Sequence, residues 1–338
     1  MLLVQGVCRK SDDMKKSIVL IVFLLLFMLP GCGSDEKEAS GTGVYFDTIV
    51  DIKVYGDNAD DLLSGCFDIC EKMEKTLSAH DQESELYMVN HRGKDVTEIE
   101  VSDDLAECLS KGLYYSEASG GAFDITILPL SDIWDFKSEN PEVPSDEEIK
   151  EAIKKVDYRK VHCNGNTISF DDTETQIDLG GIAKGYISSK LREYLISEGC
   201  GFAIINLGGN VSTVGSKPDG SSWTVGIQEP YADRGTVFEN VDIRNGCVVS
   251  SGTYERYFTV DDVMYHHILD PATGYPADTG LYQATVTGGD DVLCDALSTI
   301  CILLGREESE RLIKNKGWDV SVLYIDKDKN GSWYGDKP

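Results

Sequence analysis

Segments of helical periodicity and segments of strand periodicity alternate from Gly43 to the C-terminus, and no linker or internal repeat separates them. Apolar residues recur at helical spacing between Asp60 and Leu77, whereas residues 43–56 alternate apolar and polar side chains as a strand or hairpin does. Helices and strands that interleave in this way pack on one another in one globule. We therefore predict one α/β (α+β) domain over residues 43–338, with mixed sheets and packed helices.

Residues 1–31 have the pattern of an export signal. Two lysines precede an apolar run from Ile18 to Leu29, which is too short for a comfortable membrane span and typical of a signal peptide. The sequence Leu-Pro-Gly-Cys then ends at Cys32, as in a bacterial lipobox, and a polar tether follows over residues 32–42. We predict a natural start at Met14, lipidation of Cys32, and anchoring to the cell membrane outside the cytoplasm. The alternative is an ordinary signal peptide or N-terminal anchor with an incidental cysteine.

The charge and the cysteines exclude some functions. The chain has 59 acidic and 31 basic side chains, for a net charge of −28, and a surface of this sign repels nucleic acid. Ten cysteines are present, but none forms a CxxC motif or a Cys/His pair with zinc-like spacing. Disulfides are possible in an exported protein, and buried free thiols are an equally good interpretation. The sequence assigns no pair.

The segment DDVLCDALSTICILLG is predicted to form a helix of about four turns that Gly305 ends. Asp295, Ser298 and Thr299 stand at i, i+3 and i+4, so they project from one face among apolar neighbours. A carboxylate with two hydroxyls is a hard-oxygen set suited to Mg²⁺. The alternative is an aspartate favoured by the helix dipole, with hydroxyls that bond back to the helix.

Two further stretches combine glycine or a tight turn with polar side chains. DLGGIAKGYISSKL begins at Asp178 and is typical of a loop that approaches a phosphate, although it lacks the spacing of a P-loop or a Rossmann motif. HHILDPATG places His266 and His267 before a rigid turn that Gly274 closes. Strand alternation sends the two histidines to opposite faces, so we expect one to face a site and the other to be solvated.

Six stretches, taken in order, resemble the ApbE family of FAD:protein FMN transferases, and the resemblance runs from about Gly43 to the C-terminus. The stretches are GAFDITILPL, DLGGIAKGY, INLGGNV, SSGTYERYF, HHILDPATG and DALSTICILLG. The resemblance implies an α/β architecture related to the T-fold. It also implies an enzyme that uses Mg²⁺ and FAD to attach FMN, through a phosphoester bond, to a threonine or serine of an acceptor protein outside the cytoplasm, with release of AMP. The acceptors it implies are extracytoplasmic redox-pump subunits or FMN-binding-domain proteins.

The resemblance also implies a role for individual residues of this sequence. The positions that match FAD contacts are Phe46, Ala122, Phe123, Asp124, Asp178, Lys184, His267 and Ile268. The positions that match metal ligands are Gly181, through its main-chain carbonyl, and the side chains of Asp295, Ser298 and Thr299. Ser298 stands where some members have a second aspartate, so the metal would meet one charge fewer.

The residues also indicate which group removes the proton of the acceptor hydroxyl. An acceptor hydroxyl that attacks a pyrophosphate must lose its proton, and the resemblance places His267 near the reacting phosphate. We expect His267 and Asp295 to be catalytic, with the base role open to sharing by Asp295 or a metal-bound water. Two alternatives remain: an FAD pyrophosphatase that yields FMN and AMP, and a flavin-binding lipoprotein without catalysis.

Overall fold

The computed structural model of the chain describes residues 36–338. The predicted signal peptide and the lipidation site at Cys32 lie outside these residues. The structure corrects the predicted tether, because strand β1 begins at Glu38 and its register pairs Glu38 with Tyr55. Ala39 in this strand is buried, which an exposed tether would not allow. In residues 36–338, no helix is long and apolar enough to cross a membrane.

An eight-stranded sheet organises the fold, with strand order β1-β2-β6-β7-β10-β13-β14-β15. All strand pairs within the described residues are antiparallel, so the sheet is not mixed, while the α/β class is confirmed. Its strands are β1 Glu38–Tyr45, β2 Thr48–Tyr55, β6 Phe202–Leu207, β7 Asn210–Val214, β10 Cys247–Gly252, β13 Leu281–Gly288, β14 Val320–Asp326 and β15 Gly331–Tyr334.

Three small sheets complete the strands of residues 36–338. One has the order β3-β5-β4, and the other two are the hairpins β8–β9 and β11–β12. Their strands are β3 Glu98–Glu100, β4 Val161–Asn164, β5 Thr167–Phe170, β8 Trp223–Gln228, β9 Val237–Ile243, β11 Tyr257–Val260 and β12 Val263–His266.

Seven α-helices are present in the described part of the chain, and two of them lie where the sequence analysis places a helix. They are α1 Ala59–Leu77, α2 Glu85–Asn90, α3 Asp103–Ala118, α4 Leu128–Trp134, α5 Asp146–Ile153, α6 Ala183–Ser197 and α7 Asp291–Lys316. Ser145 and Glu148 form a capping box at the start of α5, in which each side chain satisfies a main-chain N–H that the first turn leaves free. Gly305 interrupts α7 with a φ of 73°, so the predicted end at Gly305 is a kink between two helical segments.

Side chains from both faces of the large sheet are buried. One face carries α1, α6 and α7 over an apolar core that includes Val249 and Val286. The hairpin β8–β9 packs on the other face, where Trp223 and Ile227 meet Val248 and other residues of the sheet. Neighbouring residues such as Val248 and Val249 point to opposite sides of the sheet, and each is buried in the cluster on its own side.

A third apolar cluster supports the DPATG turn that follows the histidine pair. Trp134 on α4 donates its indole N–H to the carbonyl of Gly274, at 2.8 Å. Gly274 has a φ of 73°, and a Cβ at this position would collide with Ile149 on α5. The turn is therefore a rigid support for the strand before it, and it needs glycine for conformation and for space.

Candidate functional site

The carboxylate of Asp295 lies at the centre of a buried polar site between two helices. Its Oδ1 accepts a hydrogen bond from Nδ2 of Asn210 at 2.8 Å, and its Oδ2 accepts one from the main-chain N–H of Gly185 at 2.7 Å. Nζ of Lys184 lies 3.7 Å from Oδ1. Only 3% of Asp295 is exposed, and burial of a lone carboxylate would be costly without these partners.

The N-terminus of α6 points at this carboxylate. Gly185 is the third residue of the helix, so its N–H is one of the donors that the first turn leaves without an intrahelical partner. A Cβ on Gly185 would come within 2.6 Å of Cβ of Asp295 and would also collide with the main-chain oxygen of Asp291. The glycine thus allows α6 and α7 to touch, and the positive end of the helix dipole favours an anion at this point.

Three hydroxyls are linked by short contacts on the Asp295 face of α7. Two belong to the predicted ligands Ser298 and Thr299, and the third belongs to Ser251 on strand β10. Ser298 is fully buried and donates to the main-chain oxygen of Asp295 at 2.8 Å. Ser251 Oγ lies 2.7 Å from Ser298 Oγ and 3.1 Å from Thr299 Oγ1. Asp295, Ser298 and Thr299 therefore share the predicted face of α7, and the sheet meets that face through Ser251.

The glycine loop before α6 is joined to the predicted flavin-contacting segment. The main-chain N–H of Asp178 donates to the carbonyl of Ile125 at 2.8 Å, and Oδ1 of Asp178 accepts from Gly180 N–H at 2.7 Å. A Cβ on Gly181 would lie 2.7 Å from the ring of Phe123, so only glycine lets this aromatic ring pack on the loop. Phe123, Asp178 and Gly181 are thus brought together as the sequence predicts.

Asp124 differs from the expected direct FAD contact in how its carboxylate is used. The carboxylate is buried and accepts hydrogen bonds from the main chain and hydroxyl of Thr126 and from the N–H of Tyr158. Burial raises its pKa, against the effect of these hydrogen bonds. The side chain of Asp124 thus stabilises the turn after Ala122. A ligand at this segment would therefore contact its main chain and not this carboxylate.

Phe46 lies in the two-residue turn between β1 and β2. Phe46 and Asp47 both have a φ of 56°, as a type I′ turn requires, although neither is glycine. The N–H of Phe46 donates to Oε1 of Glu74 at 2.9 Å, and Asp47 forms an ion pair with Lys137. Side chains from α1 and from the chain after α4 therefore hold this turn in its strained conformation.

A second two-residue turn places the donor that holds Asp295. Gly208 and Gly209 connect β6 to β7, with φ values of 60° and 100°, and Asn210 follows directly. A Cβ on Gly208 would collide with the side chain of Thr48, the first residue of β2. The Gly-Gly turn thus packs closely on strand β2, and it positions Asn210 to donate to Asp295.

The two histidines have different environments, and the prediction of a solvated partner is wrong. His266 is buried: its Nε2 donates to the carbonyl of Ala277 at 3.0 Å, while its Nδ1 accepts from Ile268 N–H at 3.3 Å. A bridge between Leu269 and Pro276 brings the chain after the DPATG turn back against this segment, so the side chain of His266 meets protein at Ala277. His266 is thus a structural residue with a fixed tautomer.

Of these two histidines, His267 is the one that keeps a ring nitrogen without a hydrogen-bond partner. Its Nδ1 lies 3.3 Å from the carbonyl of Arg256, which can only accept, so Nδ1 bears the proton and Nε2 keeps its lone pair. The surrounding protein lowers the pKa of His267 to about 3, although part of the ring stays accessible, and the positive charges of Arg256 and Lys184 lower it further. The imidazole is therefore neutral at neutral pH.

Positive charge converges on this site in a strongly acidic chain. Lys184 lies beside Asp295 and also acts on His267, which places the two predicted catalytic residues within reach of one cation. Arg256 lowers the pKa of His267 and contributes to the lowered pKa of Asp47, whose main cause is the hydrogen bond from Lys137. An anionic ligand is the natural partner of such a region.

The donors at Asp295 fit Mg²⁺ better than a soft metal. Within residues 36–338, no group of three or more His, Cys, Asp or Glu side chains is placed to hold a metal ion. Asp295 and Thr299 instead offer a carboxylate and a hydroxyl, both hard oxygens, and the predicted carbonyl ligand of Gly181 belongs to the loop that leads into α6. Mg²⁺ is commonly held by one or two carboxylates together with a phosphate of the substrate, so this set fits a metal that FAD would help to bind.

Comparison with known proteins shows the family of this chain. Residues 46–323 match the ApbE family. The chain belongs to the ApbE family. A relative from Treponema pallidum (strain Nichols), named FAD:protein FMN transferase, is 30% identical over 329 residues, which cover 91% of this chain and 91% of the relative.

Solved ApbE structures have the same fold as this chain. The ApbE protein from Thermotoga maritima MSB8 matches with a TM-score of 0.81 and 29% identity, over 88% of this chain and 97% of that chain. The flavin transferase ApbE from Vibrio cholerae matches with a TM-score of 0.77 and 26% identity, over the same shares of the two chains. The resemblance and the fold class predicted from the sequence are thus confirmed.

Three polar groups of this candidate site were not predicted from the sequence. They are Asn210, the main-chain N–H of Gly185, and Ser251. Each belongs to a stretch that the sequence singles out, namely INLGGNV, DLGGIAKGY and SSGTYERYF. The signal in each case was a polar residue or glycine directly beside a glycine turn or a strand end, but its partner on α7 lies far away in the sequence.

Proposed function

We propose that this chain is an FAD:protein FMN transferase that uses Mg²⁺. The arrangement that supports the proposal is the Asp295 carboxylate, held between Asn210 and the N-terminus of α6, with Lys184 beside it and a neutral His267 in the same charged region. A cation ligand, a phosphate-binding cation and a base are the groups that phosphoryl transfer from a pyrophosphate requires. The names of its ApbE relatives agree with this activity.

Asp295, Thr299 and the carbonyl of Gly181 would hold the magnesium ion. When bound, Mg²⁺ would supply positive charge that stabilises the pyrophosphate while the P–O bond between the FMN phosphorus and the leaving AMP breaks. Ser298 is engaged with the main chain of Asp295 and with Ser251, so its contribution to the metal is indirect. Lys184 would bind an oxygen of the same pyrophosphate, since its ammonium group already lies at the edge of the carboxylate.

FAD would lie along the loops that meet at this point. Phe123 packs on the glycine loop, which offers an aromatic edge beside Asp178, and Phe46 presents a second ring from the β1–β2 turn. Ile268 is buried next to His267 and would form an apolar wall of the FAD site. The main chain of residues 122–124 completes this set, because the side chain of Asp124 is turned to Thr126 and Tyr158.

His267 would remove the proton from the acceptor hydroxyl through Nε2. Its pKa of about 3 makes it a weak base in the free protein, because the protein encloses it and Arg256 and Lys184 are nearby. A doubly anionic pyrophosphate beside these cations offsets their charge and raises the pKa toward the pH at which the enzyme works. The base would thus gain strength when FAD is in place.

An FAD pyrophosphatase is the second candidate function. Water in place of the acceptor hydroxyl would use the same carboxylate, the same cation and the same imidazole, and it would give FMN and AMP. A flavin-binding lipoprotein without catalysis is the third candidate. The polar groups around Asp295 argue against it, because a protein that only binds flavin needs no buried carboxylate beside the pyrophosphate.

Product analysis separates these functions. The full-length chain is incubated with FAD, Mg²⁺ and an acceptor polypeptide that contains a threonine or serine, and the free nucleotides are separated by chromatography. Transfer predicts AMP without an equal amount of free FMN, and no turnover without Mg²⁺. Equal amounts of free FMN and AMP with or without acceptor would establish the pyrophosphatase, and intact FAD would leave only a binding protein.

The acceptor and the location complete the proposal. The partners that fit are extracytoplasmic subunits of redox pumps or FMN-binding-domain proteins, with a lipid on Cys32 holding the enzyme at the membrane that bears them. Replacement of Cys32 by alanine is expected to release the protein from the membrane fraction, as measured by cell fractionation. A variant that stays in the membrane fraction would contradict lipid anchoring at this cysteine.

A further inference from the structure

A chain of three hydroxyls joins strand β10 to the carboxylate face of α7. Ser251 Oγ lies 2.7 Å from Ser298 Oγ and 3.1 Å from Thr299 Oγ1, while Ser298 Oγ lies 2.8 Å from the main-chain oxygen of Asp295. Ser298 is fully buried, and Ser251 and Thr299 are half-buried. These contacts determine the direction of each hydrogen bond as well as the positions of the oxygens, because each hydroxyl has only one proton.

The protons of these hydroxyls can be assigned in one way only. The carbonyl of Asp295 cannot donate, so Ser298 donates its single proton to it. Ser298 can then only accept from Ser251, which uses the single proton of Ser251. The contact between Ser251 and Thr299 is a hydrogen bond only if Thr299 donates. If Ser251 instead donated to Thr299, Ser298 would have to donate to Ser251. The Ser298 oxygen and the Asp295 carbonyl would then lie 2.8 Å apart with no proton between them.

This assignment determines what Thr299 offers to a ligand. Its proton is directed to Ser251, so the lone pairs of Oγ1 remain for a cation. A threonine whose hydroxyl rotated freely would spend part of its time with the proton toward the cation, which is unfavourable. Ordering of the hydroxyl before binding removes that cost.

We propose that Ser251 is a positioning residue that sets the metal affinity of the site by fixing, with Ser298, the direction of the Thr299 hydroxyl. The proposal deepens the proposed function and rests on it for the identity of the cation. In this arrangement Ser298 is a link in the hydroxyl chain and not a metal ligand. Its proton is on the carbonyl of Asp295, and one lone pair accepts from Ser251.

The neighbouring serine provides a matched control. Ser250 precedes Ser251 on β10, but its hydroxyl pairs with Thr285 Oγ1 on β13 at 2.8 Å and not with α7. Ser250→Ala and Ser251→Ala therefore remove the same atom from adjacent positions of one strand. Ser251→Thr keeps a hydroxyl and serves as the conservative variant.

The experiment measures Mn²⁺ binding to the full-length chain without FAD or acceptor, by the loss of the free-ion signal in electron paramagnetic resonance. Circular dichroism and thermal unfolding verify that each variant folds. Ser251→Ala is expected to weaken Mn²⁺ binding about tenfold, at the low end of the 10–100-fold effect of outer-shell partners. Ser250→Ala and Ser251→Thr are expected to stay within about threefold of the wild-type affinity, which is about 0.7 kcal/mol.

Other outcomes would overturn the proposal. Equal affinity in Ser251→Ala and wild type would show that the hydroxyl chain does not tune the metal. Equal weakening in Ser250→Ala and Ser251→Ala would show a general effect of strand β10. A wild-type chain that binds Mn²⁺ normally but fails to modify an acceptor would refute the proposed function and leave this proposal standing, so the two failures are distinguishable.

Discussion

Asp295 shows how one residue is prepared for a cation before the cation arrives. Both of its oxygens accept a hydrogen bond from a fixed donor, Asn210 on one side and the N–H of Gly185 on the other. Each oxygen keeps a further lone pair, so the protein orients the carboxylate without using up its capacity to bind. Lys184 partly neutralises the charge at 3.7 Å. The geometry of the ligand is therefore set by the fold.

Replacement of Asp295 by alanine is expected to reduce FMN transfer about 100-fold or more, the scale of losing a principal electrostatic group in a catalytic site. It is also expected to lower the free energy of unfolding by about 1–3 kcal/mol, because the donors on Asn210 and Gly185 lose their acceptor. Steady-state transfer assays and denaturant unfolding measure the two effects.

Asp290 provides the control on the same helix. Its carboxylate caps α7 by accepting from the N–H groups of Val292 and Leu293 at 2.9 and 3.1 Å, away from the hydroxyl face. Asp290→Ala is expected to cost about 0.5–2 kcal/mol of stability and to retain transfer activity. Wild-type activity in Asp295→Ala, or an equal loss of activity in both variants, would contradict the metal assignment.

His267 makes a prediction about pH. Its folded-state pKa is lowered to about 3, mainly by burial and then by Arg256, so the imidazole stays neutral as pH falls well below 6.5. Nitrogen-15 NMR of the ring, assigned with His267→Gln, is expected to show the Nδ1–H tautomer unchanged from pH 8 to pH 5. A titration midpoint near 6.5 would contradict the described environment.

At the scale of elements, the crossing of α6 and α7 is the structural basis of the site. Gly185 lets the two helices touch, and four residues before Asp295 the buried carboxylate of Asp291 pairs with Arg192 on α6 at 2.6 Å. Ser212 on β7 donates to the same carboxylate. These contacts fix the height of α7 relative to α6, and thus the distance from the helix N-terminus to the Asp295 carboxylate.

Gly185→Ala is expected to separate the two helices. The added methyl group would meet Cβ of Asp295 and the main chain of Asp291, neither of which can move without shifting α7. Overpacking of this kind costs about 1–3 kcal/mol, and the N–H bond to Asp295 would lengthen, so transfer activity is expected to fall as well. Thermal unfolding and transfer assays test both effects.

Gly201 is the matched glycine. Nothing lies within 4 Å of a Cβ built on it, and its φ is not in the left-handed region, so Gly201→Ala is expected to be neutral or slightly stabilising. Equal stability of Gly185→Ala and Gly201→Ala would contradict the close helix contact.

The elements of this fold were easier to predict than the contacts of the site. A local signal predicted the break at Gly305, and the Ser-x-x-Glu pattern at Ser145 is a signal of the same kind, because glycine breaks and caps depend on a few adjacent residues. The face of Asp295, Ser298 and Thr299 also follows from helix geometry alone. The bond from Asn210 to Asp295 joins residues 85 positions apart, and no local pattern encodes such a pair.

Two errors have specific causes. The sequence EKEASGTG is polar and small, which is typical of a tether, yet pairing with β2 makes Glu38–Tyr45 an edge strand. The alternation rule expects His266 and His267 on different faces, but it does not say whether each face is covered. The chain that returns after the DPATG turn covers His266, because the carbonyl of Ala277 accepts its hydrogen bond.

At the scale of the whole molecule, the net charge of −28 opposes the binding of an anionic substrate. The cations at the site, Lys184 and Arg256, offset this charge locally, and a bound magnesium ion would add to them. Metal and FAD are therefore expected to bind with positive coupling, since each lowers the electrostatic cost of the other.

This coupling is measurable as stability. A ligand present at 100 times its dissociation constant adds about 2.7 kcal/mol to the free energy of unfolding, and a coupled pair adds more than the sum of its members. FAD with Mg²⁺ is thus expected to raise the melting temperature by more than the sum of the two separate increments. Additive increments, or an increment from FAD that Mg²⁺ leaves unchanged, would contradict a metal site shared with FAD.

The most direct test of the account is the intact mass of an acceptor domain after incubation with the full-length chain, FAD and Mg²⁺. We predict a mass gain equal to FMN minus water on a threonine or serine. The gain should be lost without Mg²⁺ and in the Asp295→Ala and His267→Gln variants. An unmodified acceptor together with released FMN and AMP would contradict the transferase and establish hydrolysis of FAD at the same site.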